Sequence, residues 1–235
     1  MCGRITLNMS DAELADLFGV EHGLIVPPRY NIAPTQSIPV LRNCETGGRE
    51  LALMRWGLIP HWNGDPKHAG FVNARAETAP DKPTFRDPFR FRRCLVPASG
   101  FYEWKTVGKK HKQPYFFRKA GGGVFVYAGI WDRWESADGP VDSVAVVTVP
   151  ANELVRPLHD RMPAIIPEGQ FGLWLDPKEH SPEKLLPLLV PYPAERMESW
   201  PVSDRVNSAK VEEPGLNAPV TPVVTWEQRS LFDVA

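Results

Sequence analysis

A chain of 235 residues with 27 Lys and Arg against 28 Asp and Glu has a formal net charge of −1, so its overall charge does not select a polyanionic partner. Hydrophobic residues at 43% and charged residues at 23% match a soluble globular protein and exclude a disordered or fibrous one. The 25 prolines are about twice average usage and are spread along the chain, which favours short elements joined by stiff turns over a helical bundle.

In chain order, Ser10 followed by Glu13 forms a capping-box signature, and Leu14, Leu17 and Phe18 supply the apolar stripe of a first helix. Strands are predicted over 38–41, 51–56, 93–96, 101–104, 115–118, 124–130, 144–149, 164–166 and 197–202, from β-branched and aromatic content between turn residues. A short helix is expected over 168–175. Another opens at Ser181-Pro182, with Pro187 cutting it short behind Leu185 and Leu186. From about Val211 the chain turns polar and is expected to lie over the surface or fray. The pattern predicts one α+β domain over 1–220, built on a barrel-like, mostly antiparallel sheet with a few peripheral helices, and a tail over 221–235.

No apolar run approaches the roughly 20 residues that span a bilayer, and MCGRITLNMS lacks the apolar core of a secretory signal, so a cytoplasmic protein without membrane contact is expected. Three scattered cysteines, Cys2, Cys44 and Cys94, fit neither a disulfide framework nor a zinc site, and no metal or cofactor is expected. Between Arg75 and Arg118, eleven Lys and Arg face four acids. That local excess reads either as a phosphate-facing surface or as a solvated face.

Chemistry begins at Cys2. Initiator methionine is commonly trimmed before a small residue, which would leave an α-amine and a thiol on one residue, with ordinary pKa values of about 8 and 8.5. An aldehyde meeting this pair forms an imine with the amine, and the sulfur then closes a five-membered thiazolidine. The bland alternative is a small buried hydrophobe. Asn73, Arg75 and Glu77 alternate in a strand-like stretch, suited to sugar and phosphate contacts or to a structural Arg–Glu pair. Glu103 stands alone among Phe101, Tyr102 and Trp104, surroundings that raise a carboxyl pKa. His159 sits beside Asp160 and Arg161 between two prolines, a setting for proton transfer. Trp62, Phe71, Phe101 and Tyr102 offer rings for unpaired bases, although most aromatics build core.

MCGR at the start, RYNIAP at 29–34, WGLIP at 56–60, NARAET at 73–78, GFYEW at 100–104 and LHDRMP at 158–163 together resemble the SOS-response-associated peptidase (SRAP) family, in family order and over roughly residues 2–205. The resemblance implies a single domain that binds single-stranded DNA containing abasic sites and crosslinks its N-terminal cysteine to the ring-opened aldehyde; a monomer is the default expectation. It also implies roles: Cys2 as nucleophile, Asn73 as an amide lining the site, Glu103 as the carboxylate handling the amine and its protons. His159 would assist sugar-ring opening and adduct reversal. Arg4, Arg75 and Arg161 would meet phosphates, with Pro34 and Trp62 near the bases. Two rival readings are a cysteine glutamine amidotransferase-like hydrolase, which also begins Met-Cys-Gly, and a non-covalent single-strand binder.

Overall fold

The computed structural model describes residues 2–21, 24–44, 47–65, 67–108 and 111–222. In chain order the elements are β1 (Ile5–Leu7), α1 (Asp11–Phe18), β2 (Arg29–Ile32), β3 (Ser37–Asn43), β4 (Arg49–Trp56), β5 (Asn73–Arg75), α2 (Arg86–Phe91) and β6 (Arg93–Ala98). There follow β7 (Gly100–Val107), β8 (His111–Lys119), β9 (Phe125–Ser136), β10 (Gly139–Pro150), β11 (Arg161–Pro163), α3 (Phe171–Leu175), α4 (Pro182–Leu185) and β12 (Met197–Pro201).

Strands β10, β4, β3, β6 and β9 pair in sequence, and β9 returns to β10, so the sheet closes on itself. Closure removes the free edges that an open sheet would present. All pairs in this ring are antiparallel except β4 with β10. β11 and β5 add to β10 beyond the ring. A second, antiparallel sheet runs β12-β8-β7-β1-β2. The expected barrel-like α+β architecture is present.

Local chemistry explains the elements. Ser10 and Glu13 close a reciprocal capping box at α1, and Gly19 ends the helix in the left-handed conformation at φ 62°. Every residue of β6 is buried, and β9 passes so close to it that a Cβ on Gly129 would lie 2.7 Å from Cys94 Sγ. Glycine at that position lets the ring close tightly. Buried Arg93 donates to the carbonyls of Phe89, Arg90, Trp174, Asp176 and Glu179 at 2.5 to 2.8 Å, tying α2 and α3 to the barrel.

Several expectations shift. The 164–166 strand is displaced to Arg161–Pro163, with Ile165 making only an isolated bridge to Tyr127. The stretch after Val211 does not fray where it is described. Glu212 accepts from Arg29 and from the backbone N–H groups of Tyr30 and Asn31, Leu216 is buried, and Pro219 bridges Val202. Residues 223–235 of the expected tail lie outside the described residues. The local basic excess is dispersed: Arg93 is internal, Arg92 pairs with Asp132 and Arg118 with Glu198. No helix among the described residues is long and apolar enough to cross a membrane.

Candidate active site

The N-terminal segment is placed by strand pairing. Ile5 of β1 lies opposite Phe101 of β7, and the Tyr102 N–H donates to the Arg4 carbonyl at 3.0 Å. Continuing that antiparallel register brings the residues before Arg4 alongside Glu103. Cys2 is fully buried there, and burial, reinforced by the nearby Glu103 charge, pushes its thiol far above the usual range.

A second strand fixes Cys2 from the other side. β5 runs parallel to β10, with Asn73 opposite Val146, and the Asn73 Nδ2 donates to the Cys2 carbonyl at 2.9 Å. Buried Ala74 points inward while Asn73 and Arg75 share the opposite face. The Asn73 Oδ1 is buried and has no hydrogen-bond partner among the described residues. The same holds for Glu103 Oε1. Glu103 is 5% exposed, and desolvation pushes its carboxyl up from 4.5 to about 7.

His159 and Glu103 face one cleft of about 770 Å³, whose wall includes Arg4, Trp104, Lys112, Leu158 and Asn207. The His159 Nδ1 accepts the Arg161 backbone N–H at 2.9 Å and also lies 2.9 Å from Asp160 Oδ1. A nitrogen that accepts from the backbone cannot also donate to the carboxylate, so these two contacts exclude each other. Burial pushes the imidazole below its ordinary value, which favours the neutral ring with its proton on Nε2.

The arginines separate into three situations. Arg75 is exposed. Arg4 is half-buried at the cleft wall, donates to Asn31 Oδ1 at 2.6 Å and to the Val206 carbonyl, and lies over the Trp104 ring at 5.7 Å. Arg161 is buried. Its guanidinium grips both Glu77 oxygens at 2.7 and 2.8 Å and reaches the Thr148 carbonyl. Arg161 therefore braces the loop carrying His159 against the loop after β5, in place of the phosphate-facing position expected for it. Glu77 meets Arg161 in this bidentate pair, where the sequence left open a pair with Arg75.

Trp62 is 59% exposed on a loop pinned at three points: Arg55 to the Gly57 and Ala69 carbonyls, Asp132 to His61, and Trp134 to the Asn63 carbonyl. Pro34 is half-buried, and the next residue, Thr35, adopts φ 74°, which is costly for a β-branched side chain. Phe101 and Tyr102 are fully buried and form core, so they do not offer rings to a base. Sequence reasoning missed Lys112, Asn31 and Asn207 at or behind the cleft. Asn31 is buried and holds the Ser208 and Val211 carbonyls, while Asn207 accepts the Trp104 indole N–H at 2.6 Å. Asn31 lies within the RYNIAP stretch, but nothing local gives the bracing role of either residue, because each is defined by partners far along the chain. No three potential metal ligands converge among the described residues.

A closed barrel that buries Cys2 beside Asn73 and Glu103, with Glu103 and His159 lining one cleft, sets the class of protein, and the family described as SOS response associated peptidase (SRAP) matches residues 1–209. The chain belongs to that family. It is similar to abasic site processing protein YoqW of Bacillus subtilis, 40% identical over 222 residues covering 92% of this chain and 98% of that one. It is also similar to abasic site processing protein HMCES of Mus musculus, at 32% identity covering 86% and 68% respectively. Among solved structures, a protein from Bacteroides thetaiotaomicron superposes with a TM-score of 0.84 at 26% identity, covering 94% of this chain and all of that one.

Proposed function

We propose that this chain processes abasic sites in single-stranded DNA by linking Cys2, freed of Met1, to the ring-opened aldehyde as a thiazolidine. The observation that carries the reading is the pair of buried acceptors without donors among the described residues, Asn73 Oδ1 and Glu103 Oε1, in the surroundings of Cys2. Buried acceptors are rarely left unmatched without a functional reason. The α-ammonium created by loss of Met1 supplies the missing donors.

The chemistry balances in two stages. The amine attacks the aldehyde carbon, and loss of one water leaves an imine. The sulfur then donates a pair to that carbon, the C=N π pair moves to nitrogen, and the thiol proton ends on nitrogen, closing the ring with nothing released. Glu103, with its carboxyl near 7, takes the proton that makes the amine nucleophilic and returns one to the departing hydroxyl. His159, neutral, moves a proton between the sugar hydroxyl and ring oxygen as the closed sugar opens. Arg75, Arg4 and Lys112 offer phosphate contacts, and Trp62 and Pro34 offer surfaces to the flanking bases. Autoproteolytic loss of Met1, by hydrolysis of the Met1–Cys2 peptide bond through the thiol, belongs to the same proposal.

The test mixes the protein, its N-terminus verified by intact mass, with an oligonucleotide bearing one abasic site. A denaturation-resistant adduct that disappears in Cys2→Ala is expected. Absence of adduct with correctly trimmed protein would sink the reading, and glutamine hydrolysis in its place would favour the amidotransferase alternative.

A further inference from the structure

We infer that Asp160 is a positioning residue for His159: by accepting a hydrogen bond from Nδ1–H, its carboxylate leaves the Nε2 lone pair to act as base on the closed sugar. The inference rests on the abasic-site chemistry proposed above and deepens it.

His159 Nδ1 meets two partners at equal distance, the Arg161 backbone N–H at 2.9 Å and Asp160 Oδ1 at 2.9 Å. One is a donor and the other an acceptor, so each selects a different tautomer of the neutral ring. With the Arg161 N–H bound, Nδ1 uses its lone pair and the ring proton sits on Nε2. With Asp160 bound, Nδ1 carries the proton and Nε2 holds the lone pair.

The backbone around the ring is tied down, so the choice lies with the proton and not with the loop. The His159 N–H donates to the Val155 carbonyl at 3.1 Å, and the Ala151 N–H donates to the Asp160 carbonyl at 2.9 Å. Arg161 is locked by its bidentate grip on Glu77. The Asp160 side chain is 80% exposed and that of His159 only 25%, so the carboxylate stands in water beside a ring that is mostly out of it. A neutral backbone hydrogen bond on one side, and a charge-assisted bond weakened by exposure on the other, leave the two tautomers close in energy.

Ring opening requires the second tautomer. Nδ1 is engaged by the loop in both, so proton exchange with the sugar falls to Nε2. In the Nε2–H form that atom has no lone pair with which to take a proton. In the Asp160-bound form Nε2 takes the proton of the anomeric hydroxyl. The O–H pair becomes the π bond of the aldehyde, and the bond to the ring oxygen breaks with its pair. The imidazolium, its Nδ1–H still held by the carboxylate, then returns the proton to that oxygen and is neutral again. A carboxylate that fixes the tautomer of a histidine base divides the work in the same way in serine hydrolases.

Asp160→Ala in the full, Met1-trimmed chain removes the acceptor and keeps the Arg161 N–H. Ring-nitrogen NMR spectra should show His159 exchanging between both tautomers in the wild type and held as Nε2–H in the variant. At saturating oligonucleotide, adduct formation with the natural abasic site should slow roughly tenfold or more. An oligonucleotide carrying a permanently acyclic aldehyde should react at the wild-type rate. Asp160→Asn, which keeps an acceptor without the charge, should recover part of the loss, and melting temperature should hold in both variants. Equal loss with the acyclic aldehyde would overturn the assignment, because Asp160 would then act through its charge on Glu103. Identical ring spectra in wild type and Asp160→Ala would overturn it too, and would leave the proposed function standing. If the wild type forms no adduct with either substrate, the proposed function fails, and the spectra alone decide whether Asp160 holds Nδ1–H.

Discussion

Glu103 is held in the fold at a cost, and glutamine in its place should reveal that cost through its pH dependence. The carboxyl moves from 4.5 to about 7 because burial penalises its charge. A folded-state pKa above the unfolded one means that the folded chain binds the extra proton between those values, so stability falls as pH rises through that window. The full shift corresponds to roughly 3 kcal/mol. A neutral amide escapes the penalty. Glu103→Gln should match wild type near ~pH 4 and exceed it by roughly 3 kcal/mol near ~pH 8, about 6–12 °C in Tm for a chain of this length. Urea unfolding of both proteins across that range measures the difference directly. In Met1-trimmed protein the proposed function would pair the α-ammonium with the carboxylate, and the gap should then narrow. A difference that does not vary with pH, or a wild type that is the more stable at high pH, would refute the reasoning, because Glu103 would then be ionised and well partnered within the fold.

Other perturbations separate binding, bracing and chemistry. Arg75→Ala should reduce the salt dependence of single-strand binding by about 0.7 in slope, as loss of one phosphate contact requires. Arg161→Ala should leave that slope unchanged and cost roughly 2 kcal/mol in urea unfolding, because its guanidinium is engaged with Glu77 and Thr148. Arg93→Ala should cost at least roughly 3 kcal/mol, with Arg93→Lys recovering only a fraction, since an ammonium cannot reach five carbonyls. His159→Gln should slow adduct formation by roughly a hundredfold or more, and an oligonucleotide carrying a permanently acyclic aldehyde should restore the rate. Failure of the acyclic substrate to rescue would move His159 out of ring opening.

The legible parts of the fold were those with local causes. The capping box at Ser10 and Glu13 names its own helix, and Pro187 ends the short helix behind Ser181. Long strands such as β9 and β10 announce themselves by composition. The strands absent from the predicted set were β1, β2 and β5, three or four residues each, with only the alternation of Asn73, Arg75 and Glu77 pointing to β5. They are also the strands that assemble the site. Cys2 reaches Glu103 only because β1 pairs with β7, and Asn73 reaches Cys2 only because β5 docks on β10. Such long-range pairings have no trace in the flanking residues, so the site's composition was available through family resemblance while its geometry was not. Arg161 illustrates the other limit. Its place beside His159 and Asp160 gives no sign that Glu77 and Thr148 occupy it, and a guanidinium is as suited to a bidentate brace as to a phosphate.

Burial of Cys2 sets the order of bonds in the proposed reaction. A thiol inside the core, with its pKa pushed far up, is a poor first nucleophile at neutral pH. The amine has no such handicap. It needs acceptors, and Asn73 Oδ1 and Glu103 Oε1 are two that have no other donor among the described residues. Once the amine holds the aldehyde as an imine, sulfur and carbon belong to one molecule, and ring closure draws on the large effective concentration of an intramolecular step. A small thiolate fraction is then sufficient for the proposed ring closure. The same burial that makes Cys2 unreactive toward chance electrophiles leaves it reactive toward one already held by its own nitrogen. In the proposed reaction, selectivity for an aldehyde over other electrophiles would therefore follow from the order of the two bonds.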